Sequence, residues 1–389
     1  DRPPLFSKMK LLPIILSLCC VSAAASAADL PENGYYRAYN HMSSRYVYVL
    51  DDKGKIDMGA TSAELNAIEL WKGYDKTISD PATVLNFKHI SDKQYDVTSQ
   101  GTGIHKIIDY YVSIRAVSSP ADTYLLYATN SGMTKYLCDG ERVLDHENGM
   151  LSDSGEGKWR YWTLERISSD SDRYFGVNPD IDCKDGLYAS FFAEFPFSFA
   201  SSGMKAVYVT DVDPVYGIAV VAETDGAVPG ATPVVIRCGA TSPSGNRLDI
   251  GTTSGAASFA GNLLKGAYFC NDRYRHVNRV ANDKATMRVP GVLPDGSFGF
   301  VTSTDEYMPR NKAYLTVPAG TPETLRAMSA EEYSEFIKAG VTDITVDAAN
   351  GSTAIYNMMG VKVGESREDA SRLPAGLYII GGRKVYINN

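Results

Sequence analysis

The chain has 389 residues, with 46 acidic side chains against 38 basic ones and a formal net charge of −8. That balance excludes a nucleic acid or an anionic membrane as the principal partner, since both demand a net positive contact surface. With 25 Tyr, 34 Gly and few long helical patterns, the composition is that of an all-β protein, and the length suggests two or three domains.

The first methionine is Met9, and Asp1–Lys8 read as an upstream extension. From Met9 the text runs "MKLLPIILSLCCVSAAASAAD": a basic Lys10, an apolar run from Leu11 to Val21, then the small-residue cleavage site Ala25-Ser26-Ala27. The run is too short to span a bilayer comfortably, so residues 1–27 are expected to be an extension and secretory signal peptide. Their removal takes away Arg2, Lys8, Lys10 and Asp1 and moves the formal charge from −8 to −10. No transmembrane segment is expected later in the chain. Cys138, Cys183, Cys238 and Cys270 remain, at spacings that fit no zinc site. An oxidising compartment permits disulfides, and Cys238 with Cys270 is the expected pair, with free buried thiols as the alternative.

Residues 28–168 contain three related passes. They open "GYYRAYNHMSSRYVYVLDD", "VLNFKHISDKQYDVTSQGTG" and "TYLLYATNSGMTKYLCDG", and close "NAIELWK", "YYVSIRAV" and "KWRYWTLERI". Each alternates apolar and polar residues through a strand, a polar turn and a second aromatic strand, which is the pattern of a sheet with one buried face. Three passes predict a closed threefold β structure without exposed edges. Tyr and Trp crowd this region, and alternation turns about half of them outward, where a flat ring with a polar tip suits sugar stacking or protein contact.

Residues 169–320 read as a second β domain. The strands "KAVYVTDV", "IAVVAE" and "TPVVIRC" are mostly apolar and are expected to be buried on both faces of a sandwich. "NPDIDCKDG", Asn178 to Gly186, reads as the linker into it; as a calcium loop it would want a carboxylate where Phe191 stands. "TPETLRAMSAEEYSEFIKAG", Thr321 to Gly340, predicts a helix with a Ser329/Glu332 capping box, placed in a helical connector over 321–345. Residues 346–389 hold "AIYNMMGVKV" and "LPAGLYIIGGRKVYINN", two strand pairs, the last turning at Gly381-Gly382.

The search for chemistry finds no catalytic motif. The five histidines form no His-Glu-x-x-His pair, and no Gly-x-Ser-x-Gly elbow occurs. "DHENG", Asp145 to Gly149, reads as a solvated turn and "GTTSG", Gly251 to Gly255, as a loop. "CNDRYRHVNRV", Cys270 to Val280, is a basic patch that reads as a strand edge held back from aggregation by charge. No cofactor and no metal are expected.

Three resemblances follow from these stretches. "GYYRAYNHMSSRYVYVLDD", with the closing "IELW" and "RYWTLERI", resembles the repeats of ricin-type β-trefoil lectins, although the family's Gln-x-Trp signature is absent. The resemblance implies a β-trefoil-like N-terminal domain and a sugar site combining an Asp, an aromatic platform and an Asn or Gln. The first pass offers Asp51, Asp52 and Trp71; the third offers Asp139, Asp145, Asn148 and Trp159. "LYASFFAEFPFSFASSGMKAVYV", "AVPGATPVVIRCG" and "MPRNKAYLTVPAG" are similar to a β module of secreted proteins from Gram-negative anaerobes. The C-terminal strands resemble the sorting tail of type IX secretion substrates, which implies contact with export machinery. The resulting expectation is a secreted or surface-displayed, non-enzymatic binding protein whose partner is a glycan or a host or cell-surface protein. A structural adhesin or assembly subunit, and a hydrolase with a dispersed acid pair, are the rival readings.

Overall fold

In the computed structural model, the described residues are 30–40, 42, 44–49, 68–72, 77–103, 111–139, 149–152, 157–253, 255, 257–270, 279–340, 354–357, 360–374, 376–380 and 383–387. The expected extension and signal peptide at residues 1–27, Asp51, Asp52, Asp145, Asn148, most of the basic patch and residues 341–345 of the connector lie outside them. The fold is all-β, as expected from composition and alternation.

The three passes form β1 (Gly34–Asn40), β2 (Arg45–Val49) and β3 (Ile68–Lys72); β4 (Leu85–Ser91), β5 (Gln94–Ser99), β6 (Thr102–Gly103) and β7 (Val112–Ala116); and β8 (Tyr124–Asn130), β9 (Met133–Asp139), β10 (Gly149–Ser152) and β11 (Trp162–Arg166). Antiparallel pairing runs β1–β4–β5–β7–β8–β11 and returns to β1, a closed ring. The β2–β3 hairpin extends it at β1 and β9–β10 extends it at β8, whereas the middle pass adds only β6. Alternation fills the interior: Tyr36, Ala38, Phe87, Ile114, Leu126 and Trp162 share one core. Trp162 is fully buried and its indole N–H donates to the Leu137 carbonyl at 3.0 Å, which removes the desolvation cost of that donor.

The second unit comprises β12 (Phe175–Gly176), β13 (Ile181–Cys183), β14 (Gly186–Phe191), β15 (Phe197–Phe199), β16 (Lys205–Asp213), β17 (Ile218–Thr224), β18 (Val234–Cys238), β19 (Arg247–Ile250), β20 (Leu264–Ala267), β21 (Met287–Val292), β22 (Phe298–Val301), β23 (Lys312–Thr316) and β24 (Thr324–Ser329). A ten-stranded sheet, β13-β14-β18-β16-β17-β24-β22-β21-β23-β20, stands beside the three-stranded β12-β19-β15. The apolar β18 is buried on both faces. Val234 and Ile236 pack in the core with Phe191, and Val235 packs in the other with Val207 and Phe300.

Three expectations are corrected. The helix expected from Thr321 starts at Ala330, and Thr324–Ser329 forms β24, parallel to β17 and antiparallel to β22. Leu325 is fully buried between neighbouring strands, so sheet pairing overrides local helix propensity there. The capping box itself forms: Ser329 Oγ accepts from the Glu332 N–H at 3.1 Å, and Glu332 accepts from the Ser329 N–H at 2.7 Å. Second, Asn178–Gly186 is no linker. It carries β13, which turns back onto β14, and its acids serve as backbone acceptors: Asp180 from the Ser190 N–H at 3.2 Å, Asp185 from the Phe298 N–H at 3.0 Å. Third, no disulfide joins Cys238 to Cys270. Cys238 closes β18 inside a core, where its thiol donates to the Ile236 carbonyl at 3.7 Å. Burial pushes that thiol up to about 12.

The C-terminal strands build their own antiparallel sheet, ordered β26 (Lys362–Gly364), β25 (Ile355–Asn357), β27 (Gly376–Ile380), β28 (Arg383–Ile387). Ile355, Tyr378 and Ile387 fill its core, and a one-turn helix at Arg367–Ala370, capped by Ser366 and Asp369, bridges β26 to β27. Among the described residues, no helix is long and apolar enough to cross a membrane.

Candidate functional site

Because cross-strand partners share a face, register identifies what each hairpin presents outward. On the first hairpin Tyr39 stands opposite Tyr46, and Tyr46 opposite Trp71. On the third, Tyr127 stands opposite Tyr136. The two pairs are alike in geometry, with ring centroids at 5.0 Å and 51° in the first and 5.4 Å and 37° in the third.

Their surroundings differ. Tyr46 is buried, packs with Tyr48 and Ala82, and donates its hydroxyl to Glu165 at 2.9 Å. The segment over it, Pro81–Thr83, is a short 3₁₀ turn capped by Asp80, and Arg310 of the second unit pairs with that Asp80. Tyr127 and Tyr136 are half-buried. Their row continues across the sheet to Ser113 on β7 and exposed Gln94 on β5. Two residues toward the hairpin tip, Thr129 and Thr134 face each other with hydroxyls 2.9 Å apart. The outer face of the third hairpin therefore offers a tyrosine platform bordered by hydroxyls and an amide. Flat apolar rings beside short polar groups are what a pyranose requires, since its C–H face stacks and its hydroxyls exchange hydrogen bonds.

The residues carried by the lectin resemblance do not converge on one open site among the described residues. Asp139 is fully buried and paired with Arg45, whose Nε donates to it at 2.9 Å. It ties β2 to β9 across the ring and has no free face for a ligand. Trp159 is half-buried in the 3₁₀ turn before β11, and its backbone carbonyl accepts from the Asn40 amide at 2.8 Å. Trp71 is placed by backbone register opposite Tyr46. Tyr136, Thr129, Thr134, Ser113 and Gln94 were not singled out from the sequence. The signal that finds Thr129, Thr134 and Tyr136 is alternation through the third hairpin, which turns them to the same face as Tyr127.

A second concavity, a cleft of about 670 Å³, lies between the ring and the second unit. Its charges are already satisfied: Asp80 pairs with Arg310 and Asp180 with Lys312. Beside it the buried Gln100 and Asn311 exchange amide hydrogen bonds at 2.8 and 2.9 Å, and Asn311 also donates to the Phe192 carbonyl at 3.0 Å. Gly101, at φ +69°, donates its N–H to Glu194 at 2.8 Å, and a Cβ there would lie 2.9 Å from the Tyr268 ring. This is the chemistry of a joint between two units.

The titratable groups agree with that division. Serine hydroxyl and backbone hydrogen bonds hold Asp295 down to about 2. Hydrogen bonds from Thr286, from Ser168 and from the Glu365 and Ser366 region lower Asp283, Asp170 and Asp369. Burial, with Asp80 nearby, pushes the Tyr48 hydroxyl above its usual range. Among the described residues, no group of three His, Cys, Asp or Glu side chains is placed to hold a metal ion.

No family model matches the chain, and no curated protein matches it. Among solved structures, a chain described as "Structure and mode of action of a mosquitocidal holotoxin" aligns at 10% identity and a TM-score of 0.27. The alignment covers 77% of this chain and 52% of that one, so the chain spans about half the length of that protein. At this score the likeness defines neither fold nor function.

Proposed function

We propose that this is a secreted or surface-displayed, non-catalytic binding protein that recognises a glycan through the outer face of the third hairpin of its N-terminal ring. The observation that carries the reading is the half-buried Tyr127–Tyr136 pair, set in one row with Ser113 and Gln94 and next to the Thr129–Thr134 hydroxyl pair. The lectin resemblance of the three passes supports the same ligand class, and under this reading the ring is a β-trefoil-like module with unequal passes. The signal-peptide pattern and the C-terminal sheet support export. Among the described residues, the carboxylates of the cleft are held in ion pairs, and the carboxylates with displaced pKa values are displaced downward, whereas a glycosidase acid needs an elevated one.

The full chain on a broad glycan array tests this, with Tyr127→Ala, Tyr136→Ala and Trp159→Ala beside it. Binding that Tyr127→Ala and Tyr136→Ala abolish, and Trp159→Ala retains, supports the platform. A folded protein that binds no glycan overturns the reading and turns the search to protein partners.

A further inference from the structure

We propose that the open end of the curled ten-stranded sheet binds a small organic cation, an amine carried on an apolar body. The inference goes beyond the glycan reading and does not depend on it. Tyr188 stands on β14 and Phe298 on β22, and β18, β16, β17 and β24 lie between those strands in the sheet. A flat sheet would set the two about 24 Å apart, five strand spacings of about 4.8 Å. Instead their rings stack at a centroid distance of 4.3 Å and an interplanar angle of 18°. The sheet therefore curls back on itself around the core that holds Val207, Phe300 and Leu325, and the stacked pair closes it.

At that end lies a cleft of about 570 Å³, within the size range of small-molecule sites. Its deeper lining is apolar, with Val207, Phe298 and Met328 buried. One polar group interrupts that lining. Tyr188 is only 6% exposed, and its hydroxyl has no hydrogen-bond partner among the described residues. A buried phenol left unpaired costs free energy that a ligand hydrogen bond returns. Burial pushes that hydroxyl up, so it stays protonated at neutral pH and offers its oxygen as an uncharged acceptor. The rim supplies charge of one sign: Asp185, Glu223, Glu331 and Glu332 line the cleft, and among the described residues no lysine, arginine or histidine does. Glu223 is answered by Lys205 at 3.2 Å, with Arg237 at 4.0 Å, neither of which lines the cleft. Asp185 accepts the Phe298 N–H and Glu332 the Ser329 N–H, backbone bonds that leave each carboxylate charged. Asp185, Glu331 and Glu332 thus have no cationic side chain paired with them among the described residues. An ammonium group meets these carboxylates and the Tyr188 oxygen with its N–H donors, while its hydrocarbon part displaces water from the apolar lining.

The test titrates the full chain by calorimetry with phenethylamine, with phenethyl alcohol as its neutral isostere and hydrocinnamate as the anion. The amine should bind about tenfold or more tighter than the alcohol, the worth of a charged hydrogen bond, and hydrocinnamate weakest of the three. Tyr188→Phe keeps the aromatic stack, removes only the hydroxyl and should weaken the amine several-fold. Asp185→Asn combined with Glu331→Gln should bring the amine close to the alcohol, and rising salt should narrow the same gap. Tyr127→Ala should leave amine binding unchanged, which separates this site from the glycan platform. Equal binding of the three compounds, or a preference that survives the double substitution, overturns the cation selection. Absence of amine binding, or its loss in Tyr127→Ala, overturns the site while the glycan reading is judged by its own array. The peptide Gly-Lys-Gly is the competing occupant; if it binds tighter than phenethylamine, the small-molecule assignment falls.

Discussion

On the first hairpin, Tyr39 opposite Tyr46 lies beneath the Asp80-capped turn, whose Asp80 pairs with the second unit's Arg310; on the third, Tyr127 opposite Tyr136 keeps a half-exposed outer face. The two pairs occupy outward positions on the first and third hairpins and differ little in ring geometry. What separates them is the neighbour. One pass has its outer aromatics covered by the turn at Pro81–Thr83, and the other keeps them half-buried. In a repeated architecture, position in the repeat sets which way a side chain points, and the rest of the molecule sets whether it stays available.

That contrast can be broken by substitution. The largest effect should come from buried groups that hold both passes. Asp139→Asn leaves the Arg45 guanidinium without its counter-charge and should cost about 3–5 kcal/mol, and Tyr46→Ala should cost a similar ~3–5 kcal/mol by removing a buried ring and its Glu165 hydrogen bond. Chemical denaturation measures both, and a loss under about 1 kcal/mol for either would contradict the structural role assigned here. Gln100→Ala removes the paired amide bonds that Gln100 exchanges with buried Asn311 and should cost about 1–3 kcal/mol, seen as earlier separation of the two units. Tyr127→Ala sits lower on the stability scale, at about 1 kcal/mol or less for a cross-strand pair, yet it should remove glycan binding that Tyr46→Ala leaves intact in protein still folded. A reversed pattern would show that the first hairpin, not the third, is the binding face.

Acid titration separates fold loss from site loss. Asp295, Asp283 and Asp369 all lie away from both hairpins and have folded-state pKa values below the ordinary carboxylate range of about 3.9. Lowered values mean stability that is fully present above the ordinary value and lost as pH falls through the folded one, about 2 for Asp295. Thermal melts should therefore decline on acidification below about pH 4. The smallest effect concerns Cys238, whose thiol, pushed up to about 12 by burial, should resist alkylation in the folded chain at pH values where free cysteine reacts. Labelling as fast as in unfolded protein would refute its burial.

Alternation alone specified much of this molecule. The all-β class, the three passes, the apolar β16–β17–β18 run, the capping box at Ser329 and the final hairpin are all local patterns, since period-two burial and cap chemistry act over a few residues. Tertiary structure decided the rest. The stretch Thr324–Ser329 reads as helix locally and becomes strand because β17 and β22 supply its hydrogen bonds and cover Leu325. Asp139 reads as an available acid and becomes a sealed ion pair because Arg45, far away in the chain, folds onto it. Tyr127 and Tyr46 read alike, and only the turn at Pro81–Thr83, folded over the first hairpin from the next pass, distinguishes a core ring from a half-buried one. Local chemistry determines which way a side chain points; whether it meets water or protein depends on contacts between residues far apart in the chain, and no local pattern encodes those.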